Sequence, residues 1–188
     1  MTFRVRRHLR AAAAAVVALI SVCPAGAQSA PRSEYEIKAA YLFTFARFVD
    51  WPPRAARDDS SFAICVLGTD PFGATLDATI AGAAIRGRKV SVRRISSPEA
   101  AGACHIVFVS ASEDHRMATL GPALAQSGAL TVSDMPQFAD RGGMIQFVTA
   151  ANRVRFEINL QSARQAGLMM SSELLRVASA VRTRMGPV

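Results

Sequence analysis

Short apolar segments of strand length, each followed by a turn and then by a helical pattern, set the strongest limit on how this chain can fold. Residues 62–67 and 104–109 are mainly apolar runs, 89–95 alternates between apolar and polar positions, and 129–132 is a shorter apolar run. Strands without a polar face are typical of parallel sheets covered on both sides, and intervening helices supply the cover. The sequence therefore predicts an α/β fold: a single three-layer αβα domain with a mostly parallel, Rossmann-like sheet.

Three helix starts are marked by residues that cap the first turn. They are Ser33 with Glu36, Asp70 with Pro71, and Ser110 with Glu113. The first helix would run to about residue 50 with apolar side chains on most sides, which indicates that it is largely buried. The third would span about residues 113–125.

The C-terminal part does not continue the alternation of strands and helices. Residues 144–149 and 153–158 are strand-like runs separated by three residues, which predicts an antiparallel hairpin. Asn159 would cap a short helix that ends at Gly167. A final helix from about Ser172 would carry four apolar side chains on one face, Leu174, Leu175, Ala178 and Val181.

The N-terminus has the three-part layout of a secretory signal peptide. Four arginines without an acidic residue precede an apolar run at residues 11–22, which closes on Ala25-Gly26-Ala27. A helix needs about 20 apolar residues to cross a membrane, and this run is shorter. We therefore expect a signal peptide at residues 1–27, cleavage after Ala27, and one exported domain at residues 28–188.

The N-terminal segment has two other interpretations. Cys23 could carry a lipid and Arg6-Arg7 could belong to a twin-arginine signal, but the neighbouring residues fit both patterns poorly.

Removal of the four N-terminal arginines lowers the formal net charge from +8 to +4. Nucleic-acid binding calls for basic and aromatic residues grouped on one face, whereas the remaining arginines are scattered among acids. We therefore predict no nucleic-acid partner.

Sequence motifs for catalysis, cofactors and metals are missing. Gly-x-Ser-x-Gly, Gly-x-Gly-x-x-Gly and Walker patterns do not occur. After the signal segment only His105 and His115 remain, and neither has a second metal ligand at a suitable spacing. We predict a protein that is not an enzyme and that needs no cofactor or metal ion.

Two cysteines remain after the signal segment. Cys65 and Cys104 each lie in a segment that predicts a buried strand. An even number in an exported protein favours a disulfide, which would close a loop of about 40 residues and contribute roughly 3 to 4 kcal/mol. The alternative is two small buried apolar side chains that do not meet.

Polar residues within the predicted hairpin are one candidate binding surface. Arg153, Arg155 and Glu157 share one side, because residues two apart on a strand point the same way. This group is either a solvated sheet face that contains an Arg–Glu pair or a recognition surface, to which Arg164 would add.

The ends of two apolar strands are a weaker candidate for binding a small ligand. Asp70 and Ser110 follow residues 62–67 and 104–109, at the strand ends where open α/β sheets bind ligands. Both residues also fit ordinary helix starts, so the pattern alone leaves the two interpretations open.

Four segments follow one another along the chain in a specific order. They are YEIKAAYLFTFARFVDWP (35–52), VLGTDPFG (66–73), CHIVFVS (104–110) and NRVRFEINL (152–160), the last followed by Ala163-Arg164 and Ala166-Gly167-Leu168. Together they resemble the YfiR/HmsC family of periplasmic proteins. The resemblance implies a periplasmic repressor that binds the periplasmic sensor domain of an inner-membrane diguanylate cyclase and thereby lowers cyclic di-GMP and biofilm formation. It also implies that an outer-membrane OmpA-like lipoprotein can sequester the repressor.

The resemblance bears on single residues as well. Cys65 and Cys104 match a cysteine pair of the family, which favours their disulfide, while a second pair found in some relatives is absent here. We expect the hairpin face around Arg155 and Glu157, with the apolar Phe147 beside it, to form part of the partner surface.

Two functions stay open on the sequence alone. The first is a protein-binding repressor, acting as a monomer or a homodimer. The second is a periplasmic small-molecule sensor with its pocket near Asp70 and Ser110. An exported hydrolase that uses Ser110 is the least favoured, because no obvious base other than His115 accompanies that hydroxyl.

The exported protein is expected to begin at Gln28. Intact-mass measurement of the protein released from the periplasm checks this, and Ala27→Arg should block processing because the position before the cut needs a small residue. Recovery of a chain that still carries residues 1–27 would contradict the prediction.

Overall fold

Residues 33–53 and 60–183 are described by the structure, a computed structural model. The predicted signal peptide at residues 1–27 and its cleavage site lie outside these residues. Within them, no helix is both long enough and apolar enough to cross a membrane.

Helix α1 starts at the predicted capping box. The Ser33 hydroxyl accepts a hydrogen bond from the Glu36 amide, and the Glu36 carboxylate accepts one from the Ser33 amide. The α-helices among the described residues are α1 (Glu34–Phe48), α2 (Ala74–Ile80), α3 (Met117–Ser127), α4 (Leu160–Gln165) and α5 (Ser172–Val177). Two 3-10 helices, Pro98–Ala103 and Ala111–Arg116, lie among them.

The strands form one large sheet and one small one. They are β1 (Val49–Asp50), β2 (Ser61–Leu67), β3 (Ala84–Ile85), β4 (Arg88–Ile95), β5 (Ile106–Val109), β6 (Leu130–Ser133), β7 (Ile145–Ala150), β8 (Arg153–Asn159), β9 (Met169–Met170) and β10 (Ala180–Arg182). The large sheet has the order β10-β8-β7-β6-β5-β2-β4-β3, and β1 pairs with β9 in the small one. Within the large sheet, neighbours are parallel except β7–β8 and β3–β4. The predicted α/β fold, the mostly parallel sheet and the C-terminal hairpin are confirmed.

Two apolar cores lie on opposite faces of this sheet, because side chains alternate along each strand. We call the side that carries Ile64 the first face and the side that carries Cys65 the second face. The first-face core includes Leu42 and Phe45 of α1 and receives side chains from α2, α4 and α5. The second-face core receives side chains from α3 and the 3-10 helix Pro98–Ala103. Each fully buried Leu or Phe contributes about 1.5 to 3 kcal/mol, which explains why β2 and β5 are almost continuous apolar runs.

Trp51 joins the end of α1 to the starts of two central strands. Its indole N–H donates a hydrogen bond to the carbonyl oxygen of His105, at 2.8 Å. Its ring meets the Phe62 ring edge-on, with 5.2 Å between centroids. This side chain therefore fixes where the chain passes from helix to sheet.

Two of the predicted helix starts are wrong in detail. Helix α2 begins at Ala74 rather than at Pro71, and the Asp70 carboxylate accepts a hydrogen bond from the Phe72 amide, at 2.8 Å. The longer turn places the Phe72 ring in the core, edge-on against Phe108. Ser110 does cap a helix, but it is the 3-10 helix Ala111–Arg116.

The predicted last helix through Val181 is also wrong. Helix α5 ends at Val177, and the chain continues as β10 in parallel with β8. The Ser179 amide donates to the Phe156 carbonyl oxygen, at 2.8 Å, which holds the chain in extended form against the sheet. Backbone pairing at an open sheet edge thus outweighs the helical spacing of the apolar residues.

The predicted disulfide is confirmed. Cys65 lies on β2, Cys104 lies two residues before β5, and the two are bonded across 39 positions of sequence. Both side chains are fully buried in the second-face core. The bond therefore ties neighbouring strands together from inside the sheet layer.

Replacing both cysteines, Cys65→Ala with Cys104→Ala, should lower the free energy of unfolding by about 3 to 4 kcal/mol, because the unfolded chain regains the entropy of a 39-residue loop. Urea unfolding with and without reductant measures the loss. Reductant should shift the midpoint of the native protein and leave that of the double variant unchanged. Equal midpoints for the two oxidised proteins would contradict the prediction.

Candidate functional site

The second face of the β7–β8 hairpin exposes two arginines. Arg153 and Arg155 project from β8 and are both exposed. Across the strand pair, Arg155 lies opposite Val148 and Arg153 lies opposite Ala150. Among the described residues, the side chain of neither arginine makes a hydrogen bond or an ion pair. The hairpin therefore presents two uncommitted cations beside small apolar side chains.

Glu157 shares this face but is engaged within the protein. Its carboxylate pairs with the Arg182 guanidinium of β10, at 2.6 Å, and Arg182 also pairs with Asp140. The sequence indicated an Arg–Glu pair within one strand, whereas the structure forms it between β8 and β10. Glu157 thus anchors the edge strand instead of pairing with Arg155.

Phe147 and Arg164 do not share the Arg155 face. Phe147 is 3 % exposed and lies opposite Phe156 on the first face. Its ring packs against Phe45 and Tyr41, with centroids 5.9 Å apart in both pairs. Arg164 is exposed on α4, whose buried residues belong to the first-face core. The structure therefore brings Arg153, Arg155 and Glu157 together and places the other two predicted residues elsewhere.

An apolar groove lies between the end of α1 and α5. It has a volume of about 170 Å³ and an aromatic floor that includes Tyr41, Phe45 and Phe156. At its rim, Phe48 and Val177 are 36 % and 63 % exposed. Exposed apolar side chains that surround a groove are typical of protein-binding surfaces. The sequence analysis missed this groove, because it took the residues of both helices as core.

A buried lysine was also missed. Lys38 of α1 is 3 % exposed, and its ammonium group contacts Asp134 at 2.6 Å and Glu34 at 2.5 Å. The Tyr35 hydroxyl donates to the same Asp134 oxygen, at 3.0 Å. This cluster closes one end of a cavity of about 300 Å³. Its one sequence signal is a lysine within a helix that is apolar on most sides, in a chain with only one other lysine.

Protonation within this cluster follows from its contacts. Burial alone would lower the pKa of Lys38, but hydrogen bonds to Asp134 and Glu34 outweigh it, so the pKa is raised. Burial and the Asp134 carboxylate together raise the pKa of the Tyr35 hydroxyl. Lys38 is therefore a firmly charged residue that links α1 to the end of β6.

The residues predicted to bind a small ligand are committed to local structure. Asp70 accepts hydrogen bonds from the Phe72 amide and from Arg94 Nε, the latter at 2.9 Å. Ser110 is 5 % exposed and caps the 3-10 helix after β5. Both residues lie beside a crevice of about 510 Å³. Its lining includes Thr69, next to Asp70, and Ser112, two residues after Ser110.

Arg94 forms one wall of this crevice and is held by two acids. Its guanidinium pairs with Asp77 at 2.5 Å and with Asp70, and it also donates to the Gly73 carbonyl oxygen. The hydrogen bond from Arg94 holds the pKa of the Asp77 carboxyl below its usual value. Among the described residues, no cluster of His, Cys, Asp and Glu is arranged to hold a metal ion.

Asp134→Ala should lower the free energy of unfolding at pH 7 by about 2 to 4 kcal/mol, because it removes the largely buried partner, 13 % exposed, of a buried ammonium group. The matched control Glu34→Ala removes a half-exposed partner of the same lysine and should cost less than about 1 kcal/mol. Equal losses for the two variants in urea unfolding would contradict the prediction.

The cost of Asp134→Ala should also shrink at high pH. A lysine whose pKa is raised by folding stabilises the fold fully below its unfolded value of about 10.5, and this contribution is lost as the pH rises through the folded value. Urea unfolding at pH 7 and near pH 11 checks the trend. A cost that stays constant across this range would exclude the Lys38 charge as its source.

Comparison with solved structures shows the fold. A conserved domain protein from Vibrio cholerae O1 biovar El Tor str. N16961 matches with a TM-score of 0.56 and 12 % identity, over 80 % of this chain and 60 % of that one. The ABC domain in complex with L-Trp from Streptococcus pneumonia gives a TM-score of 0.47 and 13 % identity, over 64 % of this chain and 55 % of that one. This chain thus spans about 60 % or less of the length of either structure. At such identity the first match supports the α/β fold alone.

Comparison with protein families is more specific. The family model described as YfiR/HmsC-like matches residues 35–179. The matched stretch runs from the first turn of α1 to the residue before β10, and so contains the disulfide, the crevice and the hairpin. The chain belongs to the YfiR/HmsC-like family.

Proposed function

We propose that this protein is a periplasmic regulator that binds the periplasmic sensor domain of an inner-membrane diguanylate cyclase and represses it, which lowers cyclic di-GMP and biofilm formation. The observation that carries the proposal is the family match over residues 35–179. Two further features support it: the signal-peptide pattern at residues 1–27 and the buried Cys65–Cys104 disulfide, which suits an oxidising compartment.

The proposed action needs binding and no catalysis. A protein outside the membrane shifts a transmembrane enzyme toward its inactive state only by binding that state more tightly than the active one. Moving the enzyme from 1 % to 99 % inactive takes about 5.5 kcal/mol of preference. A surface with a few strong contacts supplies energy of this size, since single central residues at interfaces contribute about 2 kcal/mol or more.

The hairpin face is the proposed contact surface. Arg153 and Arg155 are exposed, carry no partner among the described residues, and stand beside Val148 and Ala150. An exposed arginine next to apolar side chains is a frequent centre of protein interfaces, because its planar head pairs with carboxylates and its stem buries apolar area. We propose an acidic patch as the complementary surface on the sensor domain.

Other partners belong to the same proposal. An outer-membrane OmpA-like lipoprotein that sequesters the regulator would release the cyclase, and a homodimer is an alternative state of the free protein. The groove lined by Phe48 and Val177 offers a second, apolar contact area on the other side of the hairpin.

Arg155→Glu should weaken binding of the cyclase sensor domain at least about tenfold, because it reverses a charge that faces an acidic patch. The matched control is Arg93→Glu. Arg93 is also exposed and shares the second face, since it pairs with Cys65, but it lies five strands away, or roughly 24 Å. Co-purification of the tagged protein with inner-membrane sensor domains measures binding, and cellular cyclic di-GMP measures repression.

The expected result is that Arg155→Glu raises cyclic di-GMP to the level of a deletion strain while Arg93→Glu does not. Normal repression by a folded Arg155→Glu protein would remove the hairpin face from the proposal. Recovery of no cyclase, together with unchanged cyclic di-GMP on deletion of the protein, would remove the regulatory function itself.

A further inference from the structure

The crevice beside β2 and β5 lies where the order of the sheet reverses. From β2 the chain goes first to β4 on one side and then to β5 on the other. The loop after β2 leads to α2 on the first face, whereas the loop after β5 leads toward α3 on the second. Because the two loops leave in opposite directions, a gap opens between them, and open α/β sheets bind ligands at such points.

The walls of this crevice mostly offer hydrogen-bond donors. It is lined by Gly68, Thr69, Arg94, Ile95, Ser96, Ser112, Glu113 and Arg116, around a volume of about 510 Å³. That volume falls within the range of small-molecule sites. Arg94 is held by Asp70 and Asp77, so the partly exposed guanidinium of Arg116 is the cation that this lining can offer to an anion.

The single acid of the lining is already satisfied. Glu113 is 6 % exposed, and its carboxylate accepts from Arg116 Nε at 2.5 Å and from the Ser112 hydroxyl at 3.2 Å. Arg116 also donates from Nη2 to the Ser96 carbonyl oxygen, at 3.5 Å, and its side chain stays 40 % exposed. A guanidinium that is held in place by a buried carboxylate and is still partly exposed loses little entropy when its remaining N–H groups bind an oxyanion.

Gly68 allows this arrangement to form. A Cβ atom at this position would lie 2.5 Å from both the Glu113 carboxylate and the Ser112 hydroxyl, and its φ of +89° is one that glycine adopts readily. The chain therefore approaches the Glu113–Ser112 pair as closely as a backbone can. Thr69 follows directly, and its amide donates to the Ser112 hydroxyl oxygen, at 3.0 Å.

We infer that this crevice is a binding site for a small organic anion that carries a carboxylate or a phosphate group. Arg116 supplies the charge, and the hydroxyl groups of Thr69 and Ser96 supply neutral hydrogen bonds. The Ser112 hydroxyl is already bonded to Glu113 and to the Thr69 amide. Arg94 forms ion pairs with Asp70 and Asp77 and lines another part of the crevice. This site goes beyond partner binding and does not depend on it, because it is measured on the purified protein alone.

The test uses two probe anions, inorganic phosphate and succinate, titrated into the ¹⁵N-labelled protein and followed by NMR. At least one should cause saturable shifts of the Gly68, Thr69 and Ser112 amides, with a Kd of about 1 mM or tighter. Binding of only one anion assigns the site to the phosphate or the carboxylate class. A matched titration with 1,4-diaminobutane should leave these amides unmoved, and stronger shifts with this dication would overturn the inference.

Two kinds of variant separate this site from general attraction to a basic protein. Arg116→Gln should weaken binding at least tenfold, while Arg176→Gln, which removes an exposed arginine of α5, should leave it unchanged. Arg116→Gln could fail to fold, because Glu113 loses its partner. In that case the double variant Thr69→Val with Ser96→Ala tests the site, and its anion binding should be weakened to a similar extent. No saturable shift with either anion, or equal binding by the folded variants, overturns the inference.

Discussion

Burial of three parallel strands on both faces is the constraint on which the rest of this structure depends. The side chains of β2 and β5 are almost all apolar, and all four residues of β6 are buried, so each face of the sheet needs its own cover. Helices α1, α2, α4 and α5 supply one layer, and α3 with the 3-10 helix Pro98–Ala103 supplies the other. The crevice lies at the edge that these layers leave open, where neighbouring loops depart to opposite sides. The hairpin is exposed for a related reason, because α3 does not extend over the second face of β8.

The parts of the fold that sequence predicts well are those fixed by neighbouring residues. The capping box of Ser33 and Glu36 needs only four positions, and it forms as expected. The same pattern at Ser110 and Glu113 does not form a capping box, because the Glu113 carboxylate is bonded to Arg116 and Ser112 instead. The last helix ends early because an open strand edge lies beside it, and no local pattern reports on that edge.

The candidate sites show the same difference between local patterns and long-range contacts. Period-two alternation was enough to group Arg153, Arg155 and Glu157 on one face, but it could not show that Glu157 pairs with Arg182, 25 positions away. Phe147 lies on the neighbouring strand, and its face depends on a register that the sequence leaves undefined. The Lys38–Asp134 contact joins residues 96 positions apart and therefore has no local signature at all. Long-range pairing shapes these candidate sites more than local propensity does.

Trp51 has a practical consequence, since it is the only tryptophan of the chain. It is half-buried where α1 gives way to the sheet, it donates to the backbone of His105, and that residue follows Cys104 directly. One fluorophore thus senses the end of α1, the start of the central strands and the surroundings of the disulfide. Its emission offers an intrinsic optical reporter of oxidation state and folding, with no label attached to the protein surface.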